Sequence, residues 1–420
     1  MKILFIVPGS GDGYYCGNCF RDNLHAQALY RAGHEVVVLP LYLPLKFLHD
    51  VSQQAPLFFP ATTFYLEQKT GKKTPSWIKR ILESRLALDM AGAMSGTTTA
   101  AGMEDMTLSM IEGEDRTFRR NISQMADWIK LEQPQVIHLS STLLIGIAQE
   151  LKKAVDIPIV CSLQDEEVWL DSLAADDARR AWTGIVERAG CIDSFVTSSL
   201  YYQQIIRERL PQLPCPAVVY PGVETARYRT ESWPENPTIG FFYRMNQADG
   251  LDILADAFVL LKERGSLPGL KLRIGGGYMS PDKSFLRQVR KKLQPYADDV
   301  FFEESYSWEQ HAGFYSKITV LSVPLRFSEG IGLYLCEAFA AGRPAVEPSS
   351  GSFPEIVGQG GLTYSPNHPA ALAEQLERLL GDHALFERCS REASLLSRQR
   401  YDERLMAEKL LEIYRGLVQA

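Results

Sequence analysis

The stretch that decides the fold is TVLSVPLRFSEGIGLYLCEAFAAGRPAVE, residues 319–347. Its two ends, Thr319–Val323 and Ala345–Glu347, have the length and apolar composition of buried strands. Between them, Leu333–Ala341 has a helical pattern, and Gly342 with a nearby proline predicts the end of that helix. A strand, a helix and a second strand in this order predict a parallel sheet covered by helices.

The same alternation of apolar runs and helical patterns extends through both halves of the chain. In the first half the predicted strands are Ile3–Val7, Glu35–Leu39, Val136–Leu139, Ile157–Ser162 and Ser194–Thr197. In the second half, besides the two strands above, they are Ile239–Tyr243, Lys271–Gly275 and Val300–Phe302. We therefore expect an α/β protein with two doubly wound, Rossmann-like domains, each binding ligands at the carboxyl ends of its strands.

Residues 226–237 contain two prolines and many charges, which is typical of a linker between domains. This predicts an N-terminal domain over 1–225 and a C-terminal domain over 226–399. Residues 42–133 do not fit the alternation and are interpreted as an insertion in the first domain. Asp402–Val418 has the pattern of a long amphipathic helix.

Composition excludes several classes of protein. The chain has 420 residues, 45% of them hydrophobic and 23% charged, as in globular proteins. Its net charge of −7 argues against a nucleic-acid-binding protein, which should be basic. Apolar runs long enough for a membrane span or a signal peptide are missing from the sequence. Seven cysteines fit a reduced, cytoplasmic protein better than a disulfide framework.

The segment around Glu329 also indicates what the protein binds. Gly330 and Gly332 allow the backbone to approach a ligand closely because they have no Cβ atom. The start of the helix at Gly332 and Leu333 presents backbone N–H groups, which suit a diphosphate. Glu337, one turn further, suits hydroxyl groups such as those of a ribose or a hexose. Phosphate and sugar hydroxyls together indicate a nucleotide-sugar.

Five segments, in this order along the chain, resemble one family. They are Cys16-Gly17, Pro221–Glu224, Gly240–Gly250 with Arg244, Gly275–Gly277, and the pair Glu329 and Glu337 with seven residues between them. Their order and spacing resemble the retaining nucleotide-sugar glycosyltransferases of the GT-B fold, family four. The resemblance covers nearly the whole chain apart from the insertion.

The resemblance implies two domains facing a central cleft, with the C-terminal helix, 400–420, crossing back to the N-terminal acceptor domain. It also implies transfer of a hexose-type sugar with retained configuration. The implied catalytic residues are Arg244 and Glu329. The implied donor-binding residues are Gly17, Arg244, Gly275, Gly276, Glu329, Gly330, Ile331, Gly332, Leu333 and Glu337. The candidates on the acceptor and sugar side are Asn18, Gln164 and Asp165.

Neither a metal ion nor a cofactor is expected. Arg244 and the helix start at Gly332 can stabilise the negative leaving group without a metal. Acidic residues at Asp165–Glu167 and at Asp176-Asp177 are more often solvated than metal-bound.

Two departures from the family pattern bear on binding and catalysis. Asp249 replaces a lysine beside the diphosphate, which should weaken binding unless Arg326 or Arg21 supplies the missing cation. Gln164 replaces a histidine near the transferred sugar, and it can bond a hydroxyl group but cannot shuttle a proton. A third departure, Pro221 for asparagine, is expected to affect a turn.

The insertion is expected to hold the acceptor site. It is locally basic, with Lys69, Lys72, Lys73, Lys79, Arg80 and Arg85. Together with Leu57-Phe-Phe and the amphipathic stretch Ile78–Met90, this composition fits peripheral contact with anionic lipid at the inner face of a membrane. A helix packed on its own domain is the alternative and is favoured.

Cys16 and Cys19 form a Cys-x-x-Cys pair that fits either a loop-shaping role or a redox or zinc site. The loop-shaping role is favoured because a second such pair is missing from the sequence.

Three other functions are weighed against a transferase. They are a non-catalytic nucleotide-sugar sensor, a nucleotide-sugar epimerase on the same fold, and, more distantly, a redox protein. The nucleotide base, the sugar, the oligomeric state and the acceptor, whether carbohydrate, lipid or small molecule, are not predicted from the sequence.

Overall fold

A computed structural model of the chain describes residues 1–9, 15, 17–42, 53–54, 58, 103–113, 116–304 and 308–419. The chain divides into two compact units. The first contains the described residues within 1–12, 22–219 and 407–420, and the second those within 13–21 and 220–406. The described residues within 13–21 thus belong to the second unit, although they lie within the predicted N-terminal domain. The later changes of unit come at Val219 and Met406, where changes after 225 and after 399 were predicted.

The first unit is built on a parallel sheet in the order β3-β2-β1-β4-β5-β6-β7. Its strands are β1 Lys2–Val7, β2 Glu35–Pro40, β3 Gln53–Gln54, β4 Val136–Leu139, β5 Ile159–Leu163, β6 Ser194–Thr197 and β7 Ala217–Val218. β1 is an interior strand, and its continuous apolar run, Ile3–Val7, is buried on both faces, as parallel strands under helices require. The predicted strands of this half are confirmed, and the short β3 and β7 are additions.

Helices surround this sheet. They are α1 Gly17–Arg31, α2 Glu104–Glu112, α3 Arg116–Glu132, α4 Ile145–Lys152, α5 Glu166–Leu170, α6 Ala175–Arg188 and α7 Leu200–Arg209. The chain then continues into α8 Thr225–Tyr228 of the second unit. In α3, Phe118, Ile122, Met125 and Ile129 recur at helical spacing and pack in the core.

The limits of the predicted insertion are therefore wrong at its C-terminal end. α3 immediately precedes β4 and covers the sheet, so it continues the alternation that the sequence analysis ends at residue 42. The apolar residues of this helix recur at helical spacing in the sequence. The pattern was not recognised because many polar residues lie between them. The basic stretch Lys69–Arg85 and the stretch Ile78–Met90 lie outside the described residues.

The second unit is built on a parallel sheet in the order β10-β9-β8-β11-β12-β13. Its strands are β8 Thr238–Phe242, β9 Lys271–Gly275, β10 Val300–Phe302, β11 Val320–Leu321, β12 Ala345–Pro348 and β13 Gly361–Tyr364. The strand order reverses between β8 and β11, which makes their carboxyl ends the switch point where doubly wound sheets bind ligands.

The helices of the second unit begin with α8. They continue with α9 Leu251–Arg264, α10 Lys283–Leu293, α11 Trp308–Tyr315, α12 Leu333–Ala340, α13 Phe353–Val357, α14 Pro369–Gly381 and α15 His383–Gln399. The final helix, α16 Glu403–Val418, begins in the second unit, and from Ala407 onward it groups with the first. Among the described helices, none is long and apolar enough to cross a membrane.

Candidate functional site

Arg244 and Glu329 follow two neighbouring strands of the second sheet. β8 ends at Phe242 and leads to Arg244, while β11 leads through a loop to Glu329. The two strands pair in parallel, with Leu321 opposite Gly240. Their carboxyl ends therefore share one edge, at the switch point, and the two predicted catalytic residues belong to it.

The Arg244 side chain is held in place by Asp282. Its Nε and Nη2 atoms donate to the two carboxylate oxygens of Asp282, each at 3.0 Å. Asp282 itself is buried in the short turn before α10. A bidentate bond of this kind fixes the plane of the guanidinium group, which prepares it to bind an anion in one orientation. Asp282 is not among the site residues predicted from the sequence.

The loop that carries Glu329 is tightly packed. The Ile331 N–H donates to Glu329 Oε1 at 2.9 Å, and the Ser352 N–H donates to the Glu329 carbonyl at 2.7 Å. Gly332 ends the loop at φ +60°, and a Cβ atom there would lie 2.8 Å from Ile356 Cδ1. Glycine is therefore required at Gly332 by backbone conformation and by packing.

α12 begins directly after Gly332. Its flanking side chains, Ile331 and Leu333, are buried. The first N–H groups of any helix have no partner within it, and together with the helix dipole they attract negative charge. Glu329 and Arg244 therefore lie at the same sheet edge as a helix start, and helix starts of this kind bind phosphate.

Gly275 and Gly276 lie at the end of β9. A Cβ atom on Gly276, at φ +105°, would lie 2.3 Å from the Tyr243 carbonyl oxygen. The Gly276 carbonyl accepts a hydrogen bond from the Tyr15 N–H at 2.7 Å. Tyr15 is buried in the second unit, with its ring centroid 5.5 Å from that of Phe242. Tyr15, two residues before α1, thus packs in this unit.

Glu337 is fully buried on α12, as the apolar pattern of the helix indicates. Its Oε2 atom accepts a hydrogen bond from the Tyr315 hydroxyl at 2.6 Å. Its Oε1 atom accepts one from the Tyr228 hydroxyl at 3.1 Å and lies 3.3 Å from His311 Nε2. These three partners were not identified from the sequence, because α8 and α11 are remote from α12 along the chain. The contact of Glu337 with ligand hydroxyl groups stays a prediction.

Asp249, the departure expected to add a negative charge, is buried near Arg244. Burial raises the pKa of its carboxyl group to about 8, against the effect of Arg244, and Glu329 and Asp282 raise it further. At neutral pH the side chain is therefore mostly protonated. The expected effect of Asp249 on diphosphate binding stays a prediction. Arg326, proposed as a replacement cation, is bonded to Asp252 at 2.8 and 2.9 Å.

Two further buried groups adjoin Glu329. The Glu347 carboxyl group at β12 accepts the Val323 N–H, with its two oxygens at 3.0 and 3.2 Å. Within the described part of the chain, the buried Tyr334 hydroxyl on α12 has no hydrogen-bond partner. Burial raises the pKa of both groups well above their ordinary values, and Glu329 adds to each increase. Glu347 could have been found in the sequence, because it is a charged residue at the end of a predicted buried strand, Ala345–Glu347.

Gln164 and Asp165 lie in the first unit, directly after β5. Asp165 adopts a left-handed conformation with φ +51°, which is uncommon for a residue other than glycine. The Gln164 N–H donates to Glu166 Oε2 at 2.7 Å, and its buried side-chain Oε1 atom meets no hydrogen-bond donor from the described residues. Glu166 accepts further bonds from Thr142 and Tyr202. Both candidates therefore sit at a polar strand end, where doubly wound sheets bind ligands.

The remaining candidates are described in part. Gly17 is the first residue of α1, whereas the side chains of Asn18 and Cys19, and the whole of Cys16, lie outside the described residues. Within the part of the chain that the structure describes, there is no group of three or more His, Cys, Asp or Glu side chains that could hold a metal ion.

Residues 236–382 match the sequence model of a family described as glycosyl transferases group 1. The D-inositol 3-phosphate glycosyltransferase of Streptomyces avermitilis is 32% identical over 42% of this chain and 42% of its own length. The matched segment thus spans less than half of that relative. Glycogen synthase of Mycobacterium tuberculosis is 25% identical over 67% of this chain and 69% of its own length.

Solved structures resemble the whole chain. Sucrose-phosphate synthase from Thermosynechococcus elongatus superposes with a TM-score of 0.73 at 16% identity, covering 100% of both chains. Anabaena HepE, solved in complex with UDP and glucose, superposes with a TM-score of 0.69 at 16% identity, covering 99% of this chain and 100% of its own. The predicted fold, α/β with two Rossmann-like domains of the GT-B type, is confirmed.

Proposed function

We propose that this chain, whose residues 236–382 belong to the group 1 glycosyltransferases, transfers a sugar from a nucleotide-sugar donor to an acceptor. The transferred group is a hexose-type sugar, and its anomeric configuration is retained. The observation that carries the proposal is the convergence of Arg244, Glu329 and the start of α12 at the switch point of the second sheet. These groups lie within the segment that matches the family.

The chemistry of these groups suits the breaking of a sugar–diphosphate bond. The leaving diphosphate gains negative charge as the bond breaks, and donors that are already oriented stabilise it most. Arg244 is oriented by its bidentate bond to Asp282, and the start of α12 is fixed by the packed loop around Glu329. The charge therefore develops where positive groups are held in place, without a step that requires a metal.

The proposed donor is a nucleoside diphosphate sugar, and the proposed acceptor is a hydroxyl compound. Solved relatives of this fold bind UDP and UDP-glucose, which supports a nucleoside diphosphate sugar as the donor. Gln164 and Asp165 are the proposed contacts of the first unit with the sugar or the acceptor. The relatives act on different acceptors, so the acceptor of this chain is proposed only as a hydroxyl compound.

Ligand-observed NMR with UDP-, GDP-, ADP- and TDP-sugars tests the proposal by recording binding and slow donor hydrolysis together. We expect one donor to bind and to hydrolyse slowly in the absence of an acceptor. The same assay with Arg244→Ala should lower turnover about a hundredfold, the usual loss of one oriented donor at a developing charge.

Arg290→Ala is the matched control for that variant. Arg290 lies on α10 and forms an exposed ion pair with Glu304, so its loss should leave donor turnover unchanged. If folded Arg244→Ala protein turned over the donor as fast as the Arg290→Ala protein, Arg244 would not be part of the catalytic site.

The second candidate function is a non-catalytic nucleotide-sugar sensor. It is favoured by one observation, Asp249 at the place of the family's lysine. Donor binding without hydrolysis, and without transfer to any hydroxyl acceptor offered, would support the sensor over the transferase. An epimerase would instead convert the donor into an isomer with no acceptor present, which the same spectra distinguish.

A further inference from the structure

Buried acidic side chains cluster around the loop before α12, and the proposed mechanism gives no role to two of them, Asp249 and Glu347. Asp249 is 5% exposed, Glu329 is 3% exposed and Glu347 is fully buried. The cation beside Asp249 is Arg244, whose guanidinium group is already bonded to a fourth carboxylate, Asp282. Three buried carboxyl groups, those of Asp249, Glu329 and Glu347, thus lie near an arginine side chain that already binds Asp282.

Such a cluster cannot be fully ionised at neutral pH. Carboxylates out of contact with water are stable only when cations or several N–H donors surround them. Glu347 accepts the single N–H of Val323, and Asp249 lies near the charge of Glu329. Neighbouring carboxylates repel one another, and protons on Asp249 and Glu347 relieve this repulsion. The raised pKa values of both groups agree with their being protonated. The two side chains are therefore carboxylic acids that can donate hydrogen bonds.

The Tyr334 hydroxyl provides an independent observation. It is 1% exposed and has no hydrogen-bond partner among the residues that the structure describes, although buried hydroxyl groups normally have one. Glu347, Glu329 and Asp249 lie close enough to raise its pKa, so the hydroxyl faces the same space as these carboxyl groups. An unsatisfied donor in a buried polar site indicates that a ligand oxygen completes it.

We propose that Asp249 binds the nucleotide diphosphate in its protonated form, donating a hydrogen bond to a phosphate oxygen, and that the Tyr334 hydroxyl donates to the same ligand. The inference rests on the proposed function, since it assigns residues to the donor site. The proton remains on Asp249 throughout, and no bond other than hydrogen bonds forms or breaks. A neutral acid therefore replaces a cation at this position.

The groups that face Asp249 come from several elements. Arg244 and Asn246 lie in the segment that follows β8, Asp282 lies in the turn before α10, and Glu329 and Tyr334 flank the start of α12. Arg326 is bonded to Asp252, three residues after Asp249. A bound diphosphate adds negative charge to this set, which makes the proton on Asp249 harder to remove. Binding should thus take up a proton wherever free Asp249 has lost it.

Calorimetric titration of UDP and GDP between pH 6 and pH 9.5 tests the proposal. We expect the affinity of the wild-type protein to be constant at low pH and to fall up to about tenfold per pH unit above pH ~8. Titrations in two buffers of different ionisation enthalpy should show proton uptake only in the alkaline range. Asp249→Asn, which keeps a donor that cannot ionise, should bind as the wild type does at pH 6.5 and lose the alkaline decrease.

Two further variants complete the experiment. Asp256→Asn removes an exposed carboxylate paired with Lys292 on the neighbouring helix, and its pH profile should equal that of the wild type. Tyr334→Phe should weaken binding about threefold to tenfold at every pH, as expected for one lost hydrogen bond. Tyr334→Phe tests the proposal even if Asp249→Asn does not fold.

Three results would overturn the proposal: an affinity of the wild type that does not change with pH, a tenfold loss in Asp249→Asn at pH 6.5, or binding that EDTA abolishes. The last result would mean that the carboxylates hold a divalent cation instead of protons. If none of UDP, GDP, ADP and TDP binds at any pH, the proposed function itself fails. That outcome is distinct from binding without pH dependence, which refutes only the role of Asp249.

Discussion

The Glu337 carboxyl group is fully buried, and side chains from α8 and α11 surround it. A ligand hydroxyl group would have to share this carboxyl group with Tyr315 and Tyr228. The residue therefore has a structural role that exists without any ligand. Its position in a family motif gives no indication of that role, because the partners are distant in sequence.

We predict that Glu337→Ala lowers the free energy of unfolding by about 3–5 kcal/mol, because buried hydrogen-bonding groups lose their partner. Glu337→Gln keeps the shape and should cost about half as much. Urea denaturation measures both. Glu374→Ala, an exposed position on α14, is the control, with a change within about 0.5 kcal/mol. Equal stability of Glu337→Ala and the control would contradict the buried network.

Asp249 makes stability depend on pH. Its pKa is about 8 in the folded protein, whereas an unfolded chain has an aspartate pKa of about 3.9. Between these values the folded state holds the proton and the unfolded state does not. The free energy of unfolding should therefore fall as pH rises, by up to about 1.4 kcal/mol per pH unit from this group.

Denaturation at pH 5.5 and pH 7.5 checks this expectation. Asp249→Asn should remove this contribution, about 2–3 kcal/mol over the two pH units, while other groups keep theirs. If the variant and the wild type lost the same stability between these pH values, Asp249 would be ionised in the folded protein.

At the scale of elements, the start of α12 depends on a conformation that only glycine adopts easily. Gly332→Ala should cost about 1–2 kcal/mol because of φ +60° and of the close contact with Ile356. The same variant should weaken nucleotide binding, since it shifts the N–H groups of the helix start. Thermal unfolding and calorimetric titration measure the two effects.

Gly313→Ala is the matched control within α11. A Cβ atom at Gly313 would meet nothing within 4 Å, and alanine favours a helix more than glycine does. This variant should raise stability by up to about 1 kcal/mol and leave binding unchanged. If Gly332→Ala behaved in the same way, the loop before α12 would not be constrained as described.

The elements show what could be predicted locally. α12 was predicted to within one residue because apolar residues recur at helical spacing. α3 was missed within the supposed insertion, since charged and polar residues separate its apolar ones. β13 was missed because half of its four residues, Gly361–Tyr364, are only partly buried and carry no continuous apolar run.

At the scale of the whole molecule, the last residues of the chain group with the first unit. The Tyr414 hydroxyl on α16 lies 2.5 Å from His138 Nδ1 on β4, and His138 Nε2 lies 2.8 Å from Ser162 Oγ on β5. A buried hydrogen-bond chain thus connects the final helix to the central strands.

We predict that Tyr414→Phe lowers the free energy of unfolding by about 1–3 kcal/mol, because His138 loses a buried partner. Tyr30→Phe, at an exposed position on α1, should change it by less than about 0.5 kcal/mol. Hydrogen exchange on α16 should rise in the first variant alone. Unchanged exchange there would show that the helix is held by its apolar contacts and not by this bond.

The sequence by itself determined the alternation of strands and helices, the two sheets and the placement of Arg244 and Glu329 at strand ends. Local spacing of apolar residues and glycines is sufficient for these features, because each depends on neighbours along the chain. Only the tertiary structure decided that Asp249, Glu329, Tyr334 and Glu347 share one buried space. Burial and proximity determine which of these groups keep their protons, and neither can be read from residue types alone.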